Sequence, residues 1–392
     1  MEKKLPVMNI GLVGHVDHGK TTLVQALTGK WVDTHSEEMR RGITIKLGYA
    51  DLDIYYCPSC NLYSPTPKCK YCFGDCEFKK AVSLLDAPGH ESLLAIVLTG
   101  ASLIDAAILL IAANEKCPQP QTIEHLRALE VAGIDKIIIV QNKIDLVTKE
   151  RALEHYNEIK EFVKGTIAEG APIIPVSAQQ SINIEYVLDA IDNYFVPPKK
   201  DSNKEPIFLI ARSFDANKPG TTLDNLKGGV IGGTLLQGRL KVGEEIEILP
   251  GIFHEGKVVP LKAKVVNIQQ RGFNLEEVNP YGLVGIETSL DPWITKNDKL
   301  AGNLAGHVGK LPHVRNEIEI EYNLFENFNL SKDDKVMISC LVNRSLGIIT
   351  KINSKKAEIK LTLPICAEKG TKISLSKQIN GRWCLIGYGI II

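Results

Sequence analysis

The chain has 392 residues, of which 44% are hydrophobic and 23% charged, with 46 basic side chains balanced by 46 acidic ones. The length exceeds what one core usually serves, so two or three domains are expected, and the composition excludes a disordered or low-complexity chain. Charge balance excludes a global field that draws the molecule to nucleic acid or membrane, and no apolar run reaches the ~20 residues that cross a bilayer, so no membrane partner and a cytoplasmic location are expected.

The first predicted element is a buried strand over residues 7–13, and a helix is predicted over 21–27. Between them lies Gly14-His15-Val16-Asp17-His18-Gly19-Lys20-Thr21, two glycines five apart followed by Lys and Thr, which is the phosphate-loop pattern in the context that pattern requires. Glycines let successive N–H groups face one anion, Lys20 adds a charge for the outer phosphates, and Thr21 offers a hydroxyl to Mg2+. Val16, Asp17, His18, Gly19, Lys20, Thr21 and Thr22 are therefore the predicted phosphate-contacting set. Residues 31–41 are polar and aperiodic, and Gly42-Ile43-Thr44-Ile45 resumes an apolar pattern, which makes Thr44 a candidate second Mg2+ ligand ordered by a third phosphate.

Five of the nine cysteines fall between Cys57 and Cys76, an arrangement that speaks for a metal site over a disulfide framework. Cys57-Pro-Ser-Cys60 and Cys69-Lys-Tyr-Cys72 each supply two thiolates, enough for one tetrahedral, structural Zn2+ with no open position for water. Alternating residues at 51–56 and 78–84 predict a two-stranded hairpin with this knob at its tip, and Cys76 is read as a spare.

The strand predicted over 81–85 ends in Asp86-Ala87-Pro88-Gly89-His90. Standing alone, that sequence is equally a turn; one strand after a phosphate loop, Asp86 belongs to the Mg2+ shell and Gly89 presents its N–H to the third phosphate. Buried strands are predicted over 107–113 and 136–141, a helix over 122–132, and then comes Asn142-Lys143-Ile144-Asp145. The Asp145 carboxylate accepts from N1–H and the exocyclic amine of guanine, a donor pair that adenine lacks on that edge; Asn142 is expected to donate to the base, and Lys143 to lay its stem on the ring. A last strand over 173–176 runs into Ser177-Ala178-Gln179, whose backbone is expected to meet guanine O6. Helices over 149–164 and 183–195 complete an alternation that predicts a parallel sheet with its ligand at the strands' carboxyl ends.

Beyond a proline-led polar linker at 197–204, short β-like runs broken by glycine and proline predict a small barrel over 206–307 and a second over 308–392. From Lys335 onward ten basic residues face two acidic ones, a surplus of eight, which is either a solvated sheet face or an RNA-facing surface. The predicted architecture is an α/β P-loop GTPase domain over residues 1–200 with a zinc-knob insertion, followed by two β-barrel domains.

Taken together, Gly14 to Thr21, Gly42-Ile-Thr44, Asp86 to His90, Asn142 to Asp145 and Ser177-Ala178 resemble the translational GTPases. The four-cysteine knob, Ala112 to Gln121, Arg212 to Gly220, Lys227 to Gly233 and Gly381-Arg-Trp look like the gamma-subunit family of archaeal and eukaryotic translation initiation factor two, across essentially the whole chain. The resemblance implies a GTPase that carries initiator methionyl-tRNA to the small ribosomal subunit while GTP is bound, works with alpha and beta subunits, and lets go after hydrolysis to GDP. It implies that Thr21 and Thr44 hold Mg2+, that Asp17 and Gly42 hold a second Mg2+, and that His90 positions the attacking water. Similar architectures occur in elongation factors, including selenocysteine-specific ones, and in the GTPase subunit of a sulfate-activating enzyme, for which the knob has no account.

Overall fold

A computed structural model describes residues 4–29, 48–87, 101–218, 220–222, 224 and 226–392. The chain divides into two compact units, Met1–Pro198 and Lys199–Ile392.

The first unit is built on one sheet of strand order β3-β2-β4-β1-β5-β6-β7. Its strands are β1 (Pro6–Gly14), β2 (Gly48–Cys57), β3 (Leu62–Ser64), β4 (Glu77–Asp86), β5 (Ala106–Ala112), β6 (Ile137–Asn142) and β7 (Ile173–Pro175). β1 pairs in parallel with β4 and β5, and β5, β6 and β7 continue in parallel, so these strands send their carboxyl ends to one edge of the sheet. β1, β5 and β6 are almost wholly buried, which is why they read as unbroken apolar runs. At one side β2 runs antiparallel to β4, forming the hairpin expected over 51–56 and 78–84, and carries β3 as a further hairpin partner.

Four described helices of at least two turns flank these strands: α1 (Lys20–Thr28), α2 (Pro120–Ala132), α3 (Lys149–Val163) and α4 (Ile184–Tyr194). Their ends follow from local chemistry. Pro120 opens α2, where its missing N–H is no loss, and Gly133 closes it with φ 76°. Thr148 caps α3 by accepting from Arg151 N at 3.3 Å. Leu23, Val24 and Leu27 of α1 and Val187, Leu188 and Ile191 of α4 pack into one core with Ile10, Leu12, Ile108 and Leu110 of the central strands.

The second unit holds two barrels. The first is a ring of β8 (Ile207–Phe214), β9 (Val230–Gln237), β11 (Glu245–His254), β12 (Lys257–Gln270), β15 (Val284–Thr288) and β16 (Leu304–His307), in the order β11-β16-β8-β9-β15-β12, closed by β11 pairing with β12. The short strands β10 (Leu240–Lys241), β13 (Phe273–Leu275) and β14 (Glu277–Val278) lie outside the ring. Gly233 is required where β9 crosses β8, because a Cβ there would land on the Leu209 carbonyl.

The second barrel closes in the order β17-β20-β19-β18-β21-β22. Its strands are β17 (Val314–Leu324), β18 (Lys335–Cys340), β19 (Asn343–Ile352), β20 (Lys356–Cys366), β21 (Lys372–Ile379) and β22 (Arg382–Ile391). Strict alternation along β19 turns Ser345 and Ile349 inward and Arg344, Leu346 and Ile348 outward, around an interior of Ile320, Ile338, Ile359, Leu375 and Ile386. The basic surplus from Lys335 onward is therefore spread around a barrel. Part of it is spent on ion pairs, Lys351 with Glu358 at 2.9 Å and Lys377 with Asp334 at 2.6 Å.

Candidate nucleotide site and metal knob

The loop between β1 and α1 is clamped from three sides. Lys20 is buried, and its Nζ lies back along the loop, donating to Gly14 O at 3.0 Å and His15 O at 2.8 Å. Gly19 takes φ 90° at the start of α1, and a Cβ at that position would strike the Asn142 amide. A Cβ on Gly14 would strike the Leu110 carbonyl of β5. Both glycines are thus demanded by close approach of backbone and side chains, which is what lets loop amides converge on an anion.

Two histidines brace the loop from behind. His125, on the buried face of α2, accepts from Gly14 N through Nδ1 at 2.8 Å. Burial pushes its pKa down to about 3, helped by the charge of Lys20 and by His15 and His18, so the ring is neutral and Nδ1 is the bare nitrogen that the bond needs. His18 Nδ1 meets the Leu110 carbonyl at 3.0 Å and therefore carries the proton, while its Nε2 faces Glu115 at 3.4 Å. Burial pulls the His18 pKa to about 4 against the pull of the Leu110 carbonyl and Glu115. His15 is lowered as well, again chiefly by burial. The sequence reading did not single out His125 or Glu115. The available signal was a histidine in register with Thr122, Leu126 and Leu129 on the buried face of a helix.

Thr21 at the start of α1 donates its hydroxyl to Asp86 Oδ2 at 2.5 Å, joining the phosphate loop to the carboxyl end of β4. A hydroxyl and a buried carboxylate so placed are hard oxygen donors of the kind Mg2+ takes. Thr44, expected at the same metal, Gly42, expected with Asp17 at a second Mg2+, and Gly89 and His90, expected at the third phosphate and the attacking water, lie outside the described residues.

The base end of the site forms where β6 and β7 stop. Lys143 adopts φ 62°, turning the chain into the short 3-10 segment Ile144–Leu146, which leaves Asp145 exposed at the sheet edge. Asn142, expected to donate to the base, makes two internal contacts that use one of its two amide N–H donors. It is buried, donates through Nδ2 to His18 O at 2.9 Å and accepts from Ala178 N at 3.0 Å, so its amide ties the phosphate loop to the turn after β7. Ser177 is buried, forms a paired bridge with Ile182 and accepts from Gln180 N at 3.2 Å, while Gln179 stands exposed. Within the loop Val16, Gly19, Thr21 and Thr22 are half-buried and Asp17 is exposed with φ 59°.

The knob brings its four cysteines together. The sulfurs of Cys57, Cys60, Cys69 and Cys72 lie within 4.8 Å of one another, with Cys57 and Cys72 at 3.5 Å and Cys60 and Cys69 at 3.8 Å. Sulfurs about 2.3 Å from one tetrahedral ion stand ~3.8 Å apart, so the donor set fits a single cation. Backbone N–H groups of Cys72 and Tyr71 hold the Cys69 thiol down to about 6, and hydrogen bonding to Cys72 pushes Cys60 up to about 12. Cys76 is outside the cluster.

Two family models match the chain: the elongation factor Tu GTP-binding domain over residues 5–197 and the C-terminal domain of initiation factor eIF2 gamma over residues 316–391. The translation initiation factor 2 gamma subunit of Pyrococcus horikoshii is 52% identical over 98% of this chain and 97% of that protein. The chain belongs to the gamma-subunit family of translation initiation factor 2. The gamma subunit of Methanocaldococcus jannaschii is 51% identical over 100% of this chain and 98% of that protein. The protein is thus a translation initiation GTPase of the translational GTPase family, for which GTP, GDP and Mg2+ are the implied ligands. Among solved structures, a bacterial selenocysteine-specific elongation factor superposes with a TM-score of 0.77 at 22% identity. That match covers 99% of this chain and 58% of the elongation factor, just over half its length. Elongation factor SelB from Methanococcus maripaludis, solved with the GTP analogue GPPNHP, gives 0.75 at 21% identity and covers 100% of this chain and 80% of that one. At such identities the likeness concerns the fold alone. Among the described residues no helix is long and apolar enough to cross a membrane.

Proposed function

We propose that the chain carries initiator methionyl-tRNA to the small ribosomal subunit in its GTP-bound state and releases it after hydrolysis. The supporting observation is the meeting of the phosphate loop, Asp86, Asp145 and the Ser177-Ala178 turn along one edge of the sheet, in a chain half identical to initiation factor gamma subunits. In this reading residues 1–200 hold the nucleotide, 206–307 and 308–392 are the second and third domains, and the protein works in the cytoplasm with alpha and beta subunits.

The roles follow from chemistry. Lys20 and the amides of residues 16–22 neutralise the phosphates, and Asp145 reads the guanine N1–H and amine while Lys143 covers the ring. Thr21 and Thr44 hold Mg2+, with Asp86 in its outer shell and Asp17 and Gly42 at a second ion. Bound Mg2+ supplies positive charge where the transition state gathers negative charge. His90 orients the attacking water, and Gly89 and Thr44 relax when the third phosphate leaves, changing the surface offered to RNA. Hydrolysis by the isolated chain is slow, because the groups that complete the transition state arrive with a partner. Zn2+ is the cation of the four-cysteine knob, on the strength of four thiolates at tetrahedral spacing.

A filter-binding assay tests this reading: initiator and elongator methionyl-tRNA are offered to the chain with its alpha subunit, under GTP or GDP. Retention of initiator tRNA under GTP alone is the expected result. Equal retention of both RNAs, or equal retention under both nucleotides, overturns it.

A further inference from the structure

We propose that the metal knob is a brace for the turn that reads the base, with Tyr71 and Glu185 as the joint, so that an intact knob slows guanine-nucleotide release. The inference rests on the guanine-binding reading above and assigns the knob a part in it.

The joint is built from both sides. Tyr71 lies between the last two cysteines of the knob. Its backbone N–H meets Cys69 Sγ at 3.4 Å, and its hydroxyl donates to Glu185 Oε1 at 2.7 Å. Lys70 Nζ reaches the other oxygen of the same carboxylate at 3.4 Å. The Glu185 side chain is only 10% exposed, so it cannot exchange these partners freely for water. Burial alone would raise its pKa; its own backbone N–H, Tyr71 and Lys70 overcome that and hold it low.

Glu185 sits in the first turn of α4, immediately after the turn that follows β7. Ile182 and Ser177 exchange backbone hydrogen bonds across that turn at 3.0 and 3.3 Å, and Asn183 Nδ2 ties it to Pro175 O at 2.8 Å. From there Ala178 N reaches Asn142, and Asn142 reaches His18 O in the phosphate loop. The hairpin holds the other end of α4 too: Tyr63 OH donates to Asp192 at 3.0 Å, and Lys80 Nζ donates to the carbonyls of Asp192 and Phe195 at 2.9 and 3.2 Å. A cation on the four sulfurs fixes Cys69 and hence the backbone of Tyr71. The tyrosine hydroxyl then sets the start of α4, and with it the turn.

A knob that only stabilises the fold would be equally compatible with the contacts taken singly, so the test reads nucleotide release by the folded chain. Dissociation of a fluorescent GDP analogue is measured on the full chain, wild type and Tyr71→Phe, each before and after removal of the knob metal with a zinc-selective chelator at constant free Mg2+. Tyr71→Phe keeps the ring and every cysteine and loses one hydroxyl. The expected result is release about three to ten times faster for Tyr71→Phe, a fraction of the full worth of one charge-assisted hydrogen bond because the joint acts on the base turn at one remove. Metal removal from the wild type should give a comparable acceleration, while metal removal from Tyr71→Phe should add less than about twofold, because both changes cut the same joint. A Tyr71→Phe rate equal to wild type, or two accelerations that multiply independently, overturns the brace. Failure of the wild type to bind the analogue at all would instead sink the guanine-binding reading beneath it.

Discussion

Replacing His125 tests how the phosphate loop is held. His125→Phe keeps an aromatic ring on the buried face of α2 but deprives Gly14 N–H of its acceptor, while His125→Asn can return an oxygen close to the position of Nδ1. A buried donor left without a partner costs about 1–3 kcal/mol. In a unit of this size each kcal/mol shifts the melting temperature by roughly 2–4 °C, so the phenylalanine variant should melt about 2–12 °C lower. Because the loop is the part released, GDP should also leave it faster, and the asparagine variant should recover much of both losses at the expense of a small cavity. Differential scanning fluorimetry and stopped-flow release of a fluorescent GDP analogue read the two effects. The native contribution has a pH signature. With the folded pKa at about 3, the unfolded chain takes up a proton below pH 6.5 that the folded chain refuses, so this group's stabilisation is complete above pH 6.5 and declines as the pH falls. A phenylalanine variant as stable and as slow to release GDP as the wild type would refute the brace assigned to this ring.

Asn142→Ala leaves Ala178 N–H without its acceptor and frees the loop at His18, so calorimetry should find GDP affinity reduced about tenfold or more; unchanged affinity contradicts the tie drawn here. Elemental analysis should find one zinc per chain in the wild type and a sharp loss in Cys69→Ser, and an unaltered zinc content would remove Cys69 from the donor set. In the second unit His307 lies between Glu205 at 2.8 Å and Glu244 at 3.3 Å, and these two carboxylates raise its pKa against the opposing effect of burial. Its stabilisation is present below pH 6.5 and lost as the pH rises through the raised value. His307→Gln should therefore flatten the fall in that unit's melting temperature between pH 6 and pH 8.5, and an unchanged slope would exclude this residue as its source.

The parts of the fold that announce themselves in sequence are those whose chemistry is carried by spacing along the chain. The phosphate loop, the two Cys-x2-Cys pairs and the apolar runs that became β1, β5 and β6 are of this kind, because contiguous residues do the work. Contacts that depend on the chain folding back were hidden. His125 meets Gly14, and Glu185 meets Tyr71, each across more than a hundred residues. The ties that Asn142 makes to His18 O and Ala178 N were hidden in the same way, because they join segments far apart in the chain. In β21 and β22 the strand pattern is weak because Lys and Gln interrupt the first and glycines the second, and closure of the barrel buries adjacent residues, 373–376 and 385–387, that no simple alternation marks.

The proposed function requires one site to read guanine and, through the third phosphate, to govern the grip on RNA. Asp145→Asn replaces the acceptor of guanine N1–H and amine by an amide, which can donate to the O2 carbonyl of xanthine. The decisive measurement is retention of initiator methionyl-tRNA by that variant, with its alpha subunit, under GTP and under XTP. Retention under XTP and not under GTP is the predicted result. Retention under both nucleotides, under GTP alone, or under neither when the wild type holds the RNA under GTP, contradicts it.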